Sequence, residues 1–246
     1  MTYCLAMSLD QGLVFASDSR TNAGVDQVST FRKMRVWEQA GDRVLVMLSA
    51  GNLAVTQFVA ALLDQGTKTE DPKKNIFLAE SMFDVARVVG ACVREVHGHD
   101  AKHLKEHGAD FALSLIFGGQ IKGEAPRLFM IYAAGNFIEC GDDAPYIQIG
   151  ETKYGKPILD RVVTRQMDLM PATKCALLSL NSTIRSNLTV GLPIDLLIYH
   201  KDEFKVGLYH RIGEDDPYFE DLGQLWGEGL RNLFQVLPDP PWLNEV

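Results

Sequence analysis

Three polar residues near the start of the chain have the types and the spacing that an N-terminal nucleophile needs. A threonine at position 2 is followed by Asp18 and Lys33. A hydroxyl is a poor nucleophile near neutral pH and needs an adjacent base. If Met1 is removed, the α-amine of Thr2, with an ordinary pKa of about 7.7–8.0, can act as that base. The pattern therefore predicts acyl transfer by one residue that is both nucleophile and base.

Lys33 and Asp18 are the candidates for tuning this amine. A nearby cation favours the neutral form of an amine, which is the form that accepts a proton. An inward-facing lysine needs a counter-charge, because burying an unpaired ammonium is costly, and Asp18 at the end of a strand can supply it. Each residue alone has an ordinary structural explanation. Together, and in this order, they favour a catalytic set.

The turn at Ser49-Ala50-Gly51 is the candidate oxyanion site. It follows a continuous apolar run and precedes a helical pattern, so its backbone N–H groups are expected beside a helix N-terminus. Such donors stabilise the negative charge that develops on a carbonyl oxygen under attack.

Composition bounds the alternatives. A chain of 246 residues is expected to form a single domain, 1–246, with 213–246 as a C-terminal helical extension. The net charge of −8 argues against a nucleic-acid partner. The sequence contains no apolar run of about 18 residues and no signal-peptide pattern, so we expect a cytoplasmic protein without membrane contact. The four cysteines form no Cys-x-x-Cys pair, and we expect reduced thiols.

The order of the predicted elements suggests a layered fold. Hydrophobic patterning predicts a four-strand meander near the N-terminus, two helices that pack on it, a second β block, two more helices and a closing strand pair. The predicted strands are 3–9, 13–18, 33–38, 44–49, 111–117, 128–133, 137–140, 146–149, 192–199 and 205–209. The main predicted helices begin near 53, 76, 156 and 171. This order predicts an α+β fold in which two antiparallel sheets lie face to face between helix pairs.

The C-terminal stretch adds one amphipathic helix beyond this symmetric order. It begins at Asp216-Pro217 and carries Leu225, Leu230 and Phe234. Its apolar stripe can cover the core of its own chain or dock on a neighbouring subunit, and the pattern leaves both possibilities open.

Several stretches of the chain resemble a known family. The stretch TYCLAMSLDQGLVFASDSRTNAGVD, followed by FRKM and LSAGNLAVTQ, is similar to proteasome-type N-terminal nucleophile hydrolases, most closely to the bacterial Anbu ("ancestral beta subunit") family. The resemblance covers nearly the whole chain. It implies a four-layer αββα sandwich, with the nucleophile on Thr2, its acidic partner on Asp18, its lysine on Lys33 and its oxyanion glycine on Gly51 or the neighbouring Ala50.

The same resemblance implies a self-assembling particle, either a ring or an open helical assembly of identical subunits. Its substrates would be peptides or other amides, and an ATPase is a possible partner. No cofactor is required for this chemistry.

The residues that support the nucleophile depart from the proteasome pattern. Where β subunits usually carry a Ser-Gly-Ser-like loop, this chain has Gly150-Glu151-Thr152. In the later Asp and Ser-Gly-Gly segment, Ser186 or Asn187 stands for the aspartate and Thr189 for the serine. Glu151 either bonds the amine or a positive group of the substrate, or is a solvated loop residue.

A histidine cluster is the one candidate metal site. His99, His103 and His107 follow one another at i, i+4 spacing, which is compatible with zinc. The intervening Lys102 and Lys105 are typical of a solvated helix, so we expect no metal.

The sequence therefore predicts a threonine-type, proteasome-like peptidase or amide hydrolase. One alternative is an amidohydrolase of small or unusual amides with little general peptidase activity. The other is a non-catalytic assembly subunit, which a retained Met1 would favour, because the nitrogen of Thr2 would then be a peptide nitrogen.

Overall fold

Two five-stranded antiparallel sheets, a two-stranded hairpin and five helices form the part of the chain that this computed structural model describes, residues 1–23 and 27–242. The strands are β1 (Tyr3–Leu9), β2 (Gly12–Asp18), β3 (Arg20–Ala23), β4 (Gln27–Thr30), β5 (Met34–Gln39), β6 (Arg43–Gly51), β7 (Leu113–Ile121), β8 (Arg127–Tyr132), β9 (Phe137–Glu139), β10 (Tyr146–Gly150), β11 (Ile194–His200) and β12 (Leu208–Ile212). The helices are α1 (Leu53–Gly66), α2 (Met82–Glu106), α3 (Lys156–Val162), α4 (Leu169–Ser186) and α5 (Pro217–Val236).

The first four predicted strands do not form a meander, and that prediction was wrong. β1 and β2 belong to a sheet with the order β10-β1-β2-β11-β12, whereas β5 and β6 belong to a second sheet with the order β5-β6-β7-β8-β9. The chain crosses from one sheet to the other through the small β3–β4 hairpin. Every residue of β1 and β2 is buried, which is the pattern of strands covered on both faces and not of an edge meander.

Three apolar clusters separate four layers, as the predicted sandwich requires. One cluster, around Phe15 and Leu48, fills the space between the two sheets. A second, around Met47 and Val89, lies between α1, α2 and the β5–β9 sheet. The third, around Leu5, lies between the other sheet and α3 and α4. The α+β architecture with helices on both outer sides is therefore confirmed.

Two boundaries differ from the prediction for reasons visible in the backbone. β7 continues through Gly118 and Gly119, where a turn was expected. A Cβ at Gly119 would lie 2.0 Å from the carbonyl oxygen of Val44, so this glycine permits close strand pairing instead of a turn. α2 begins only at Met82, after Ser81 accepts a hydrogen bond from the Asp84 backbone N–H.

The N-terminal part of the C-terminal helix packs on the core. Phe219 is its one buried residue among those described, and Leu222 packs beside it against the α3–α4 layer. Further along, Leu225 and Leu233 are exposed, and Phe234 is 77% exposed. The first part of the helix therefore covers the core of its own chain, and the exposed apolar stripe further along is available to a neighbouring subunit. In the described ranges, no helix has the length and hydropathy that crossing a membrane requires.

Candidate active site

The position of Thr2 is set by the residue that follows it. The Tyr3 ring is fully buried, and its hydroxyl oxygen lies 2.6 Å from the Ser179 hydroxyl on α4 and accepts a hydrogen bond from Gln148 on β10. The backbone N–H of Glu151 also donates to the Thr2 carbonyl oxygen at 2.7 Å. Thr2, which is only partly buried, is therefore held at the start of β1 from two directions.

Asp18 and Lys33 form a buried ion pair beneath this position. The Lys33 Nζ lies 2.7 Å from Asp18 Oδ1, and the two side chains are 6% and 0% exposed. Nζ also donates to the Arg20 carbonyl oxygen at 2.7 Å. The Tyr3 backbone N–H donates to Asp18 Oδ1 at 2.9 Å, which links the pair directly to the residue after Thr2. The predicted partners are thus brought together.

Burial and the lysine act on Asp18 in opposite directions. Burial raises the pKa of the Asp18 carboxyl, whereas the Lys33 charge and the backbone N–H donors lower it. Because every oxygen of the carboxylate faces donors, the pair is arranged for a charged aspartate and a charged lysine.

A cleft of about 310 Å³ opens above the ion pair. It contains the first residues of the chain, Lys33, the end of β6 and the start of α1, and its walls carry no carboxylate. The lining residues are Met1, Thr2, Thr21, Lys33, Ser49, Ala50, Gly51, Leu53, Thr56 and Gly150. A larger cavity of about 780 Å³ lies against α2 and includes none of the predicted site residues.

The predicted oxyanion residues lie at the end of β6, directly before α1. Gly51 has a φ of +118°, which favours glycine, and a Cβ there would lie 2.2 Å from the Ala112 carbonyl oxygen. The Asn52 side chain caps α1 by accepting from the Ala54 N–H at 3.0 Å. Ala50 and Gly51 therefore line the cleft immediately before a helix N-terminus.

Glu151 lies on the opposite side of Thr2 and is not a solvated loop residue. Its side chain is 4% exposed, and its carboxylate accepts from Asn187 Nδ2 at 3.0 Å and lies 3.5 Å from Lys153 Nζ. The Asn187 oxygen in turn accepts from the Thr189 hydroxyl at 2.6 Å and from the Thr189 N–H at 3.0 Å. Glu151, Asn187 and Thr189 thus form one connected network.

Asn187, and not Ser186, joins this network. Ser186 is the last residue of α4 and is exposed. The histidines lie elsewhere, since His99 and His103 are on α2 and His107 follows its end. No group of side chains within residues 1–23 and 27–242 has the arrangement of a metal site.

The pKa of the Met1 α-amino group is lowered by its surroundings. Burial, followed by the Lys33 charge, lowers the pKa of the Met1 α-amino group, whereas Asp18 and Glu151 raise it. The Lys33 charge therefore opposes the charges of Asp18 and Glu151 in setting the pKa of this amine.

The sequence did not predict two backbone groups that hold the ion pair in place. The Arg20 carbonyl holds Lys33 and the Tyr3 N–H holds Asp18, and any residue type offers these groups. The only available signal for Tyr3 was a large polar aromatic residue in an otherwise apolar strand.

Comparison with known proteins adds family information. The proteasome subunit family model matches residues 2–198. Structures of Anbu from Hyphomicrobium sp. strain MC1 (a Gly-1 mutant) and from Yersinia bercovieri are each 50% identical, with TM-scores of 0.91 and 0.90. The alignments cover 98% and 97% of this chain and 99% and 98% of theirs. A helical assembly of the Anbu complex from Pseudomonas aeruginosa is 46% identical, with a TM-score of 0.91 over 97% of this chain and 98% of that one. No curated protein sequence matches.

Proposed function

The chain belongs to the Anbu family of proteasome subunits, and from that premise we propose that it is a threonine-type amide hydrolase whose nucleophile is Thr2 after removal of Met1. The observation that carries the proposal is the buried Asp18–Lys33 pair beneath the cleft that Thr2 lines. Burying two charges is costly, and this buried pair lies beside Thr2 and an open cleft, where a perturbed pair is typical of a functional site.

In the proposed reaction the Thr2 hydroxyl oxygen attacks the carbonyl carbon of an amide. The neutral α-amine of Thr2 accepts the hydroxyl proton and then gives it to the nitrogen of the leaving amine as the C–N bond breaks. The acyl group remains on Thr2 as an ester. A water molecule, deprotonated by the same amine, then hydrolyses the ester and restores the hydroxyl.

The surrounding groups have separate tasks in this scheme. Lys33 favours the neutral amine and the negative charge that develops on the threonine oxygen, and Asp18 holds the lysine in place. The backbone N–H groups near Gly51 and Ala50, together with the N-terminus of α1, stabilise the oxyanion. Through their negative charges, Asp18 and Glu151 restrain how far the pKa of the amine falls.

Removal of Met1 is the condition for this chemistry. With Met1 attached, the nitrogen of Thr2 is a peptide nitrogen and cannot accept a proton. The burial and the Lys33 charge that lower the pKa of the Met1 amine act in the same direction on the amine of Thr2, because Thr2 lines the same cleft.

Intact mass after treatment with a peptide epoxyketone tests the proposal. This electrophile bonds both the hydroxyl and the amine of an N-terminal threonine, so one adduct on a chain lacking Met1 is expected. Thr2→Ala should lose the adduct. Thr164→Ala, which changes an exposed threonine outside the cleft, should keep it. Correctly processed protein that gains no adduct, or a Thr2→Ala variant that still gains one, would contradict the proposal.

The size of the cleft is compatible with a variant of this function. With Met1 among its lining residues the cleft has about 310 Å³, enough for a small amide, and removal of Met1 enlarges it. Comparing turnover of single aminoacyl amides with that of extended peptides separates the two. Faster turnover of the extended peptides would exclude the small-amide variant.

We also propose that the chain assembles with copies of itself through α5. Leu225, Leu230 and Leu233 are exposed there together with Phe234, and burying each such side chain contributes about 1.5–3 kcal/mol. A helix that is bound to its own core at one end only needs a further partner for the remaining stripe. The related Pseudomonas protein, whose structure is a helical assembly, supports this proposal.

A charge in the α5 stripe tests the assembly. Leu233→Glu should convert a large particle into much smaller species by light scattering, without a change in the circular dichroism melt of the subunit. Asn232→Glu adds the same charge at the adjacent exposed position and should leave the particle intact. A particle of unchanged size in Leu233→Glu would contradict a role for α5.

A further inference from the structure

A second groove lies beside the candidate active-site cleft. It has a volume of about 550 Å³ and lies between β5, α1 and the segment that leads into β12. The residues that line it are Phe31, Arg32, Met34, Arg35, Val36, Gln57, Val206 and Tyr209. The cleft and the groove are neighbours on two elements, since Lys33 lines the first between Arg32 and Met34 of the second, and Thr56 lines the first next to Gln57.

The lining of the groove is positively charged. It includes two arginines and no carboxylate. The Arg32 guanidinium lies 5.9 Å from the centre of the Tyr209 ring, and among the residues that the structure describes it forms no ion pair. Arg35 reaches Asp64 at 3.4 Å, but both side chains are nearly half exposed, so this pair is weak and easily exchanged.

Among the residues that the structure describes, no acidic residue near the groove pairs with Arg32. The Glu38 carboxylate accepts a hydrogen bond from the Val206 backbone N–H at 3.0 Å. Asp195, which is fully buried, accepts from Arg211 at 2.8 Å. Neither carboxylate therefore neutralises Arg32 in the structure.

We propose that this groove binds a carboxylate side chain of a peptide substrate, on a residue next to the amide that Thr2 attacks. The proposal rests on the proposed function only for the identity of the reacting amide. Arginine is suited to this task because its planar guanidinium can donate two parallel hydrogen bonds to one carboxylate. Phe31 and Tyr209, both partly exposed, form apolar walls for the stem of the side chain.

The charge of the whole molecule makes a local site necessary for such substrates. The chain has a net charge of −8, so its overall field opposes the approach of an acidic peptide. The arginines that line the groove place positive charge there, chiefly from Arg32, because Arg35 is paired with Asp64. The groove then selects acidic residues at one position without attracting acidic chains in general.

Binding to a catalytically inactive full-length variant tests the proposal without depending on turnover. We would measure fluorescence anisotropy of two labelled hexapeptides on Thr2→Ala protein. The peptides differ at one residue beside the central amide, glutamate in one and glutamine in the other. The glutamate peptide should bind about tenfold more tightly, as one charge-assisted hydrogen bond predicts, and its advantage should shrink as salt is raised.

Variants of the arginine sharpen this test. Arg32→Gln should remove the tenfold preference while the glutamine peptide binds as before, and Arg32→Lys should restore part of it. Arg87→Gln removes an exposed arginine from α2 and should change neither affinity. Equal binding of the two peptides by Thr2→Ala protein would overturn the proposal. So would a parallel loss for both peptides in Arg32→Gln, or a changed particle size in that variant, since the arginine would then serve a contact between copies.

The outcome is separate from that of the electrophile experiment. Absence of an adduct on Thr2 would contradict the hydrolase proposal and leave a measured glutamate preference standing. An adduct together with equal peptide binding would support the hydrolase and overturn the groove.

Discussion

The two sides of the candidate active site are built differently. On the lysine side, formed by Asp18, Lys33 and the Arg20 carbonyl, the charges are fully desolvated and 2.7 Å apart. On the glutamate side, formed by Glu151, Asn187 and Thr189, one buried carboxylate is held by a neutral amide and by an exposed lysine at 3.5 Å. The lysine side should therefore carry more of the structural stability, whereas in the proposed reaction both sides act on the protonation of the amine.

Removing the cation from the lysine side should have the largest effect. Lys33→Met leaves Asp18 buried without a counter-charge, which should cost about 3–5 kcal/mol of unfolding free energy in urea and abolish acylation. Lys156→Met is the matched control, because that lysine also lies 2.7 Å from its aspartate but the pair is about half exposed. The control should cost less than about 1 kcal/mol.

The loss of unfolding free energy caused by Lys33→Met should depend on pH. Burial raises the pKa of Asp18, and the variant removes the main opposing charge, so the folded-state pKa lies above the unfolded one. A carboxyl with a raised folded pKa contributes stability that is complete below its unfolded pKa and is lost as pH rises through the folded pKa. Urea midpoints should therefore show a smaller deficit at pH 5 than at pH 8. A deficit that is constant with pH would contradict this account.

Neutralising the glutamate side should have an intermediate effect, mainly on pH dependence. Glu151→Gln keeps an oxygen for Asn187 to donate to but removes one of the two negative charges that raise the pKa of the terminal amine. The acidic limb of kcat/KM should then shift to lower pH, with a change of less than about tenfold in the plateau. Glu106→Gln, on exposed α2 surface, is the control. A shift to higher pH would mean that the carboxylate does not act on the base.

A change at Thr189 should have the smallest effect, because Thr189 contacts Asn187 and not Glu151 itself. Thr189→Val removes a hydroxyl that donates to Asn187, but the Thr189 backbone N–H still satisfies the same oxygen. The loss should be about 1 kcal/mol or less in urea unfolding, and the acidic limb should stay in place. A variant as damaging as Lys33→Met would remove the distinction between the two sides.

The sequence predicted the layers and the lysine side because both depend on short stretches of the chain. Periodicity identifies strands and helices, and Asp18 and Lys33 follow apolar runs at readable positions. It could not assign β2 and β5 to different sheets, since apolar strands close in sequence are equally compatible with one sheet. The glutamate side depends on Asn187 meeting Glu151 across 36 positions, and only the packing of α4 on the first sheet determines that meeting.

The crossing of the chain between β2 and β5 has a consequence for how the protein is made. Asp18 ends a strand of one sheet and Lys33 precedes a strand of the other, so the pair forms only when the sheets have stacked. A nascent chain with one sheet complete has a threonine near its start but lacks the ion pair beneath it. The proposed amide cleavage would therefore require both sheets to be in place.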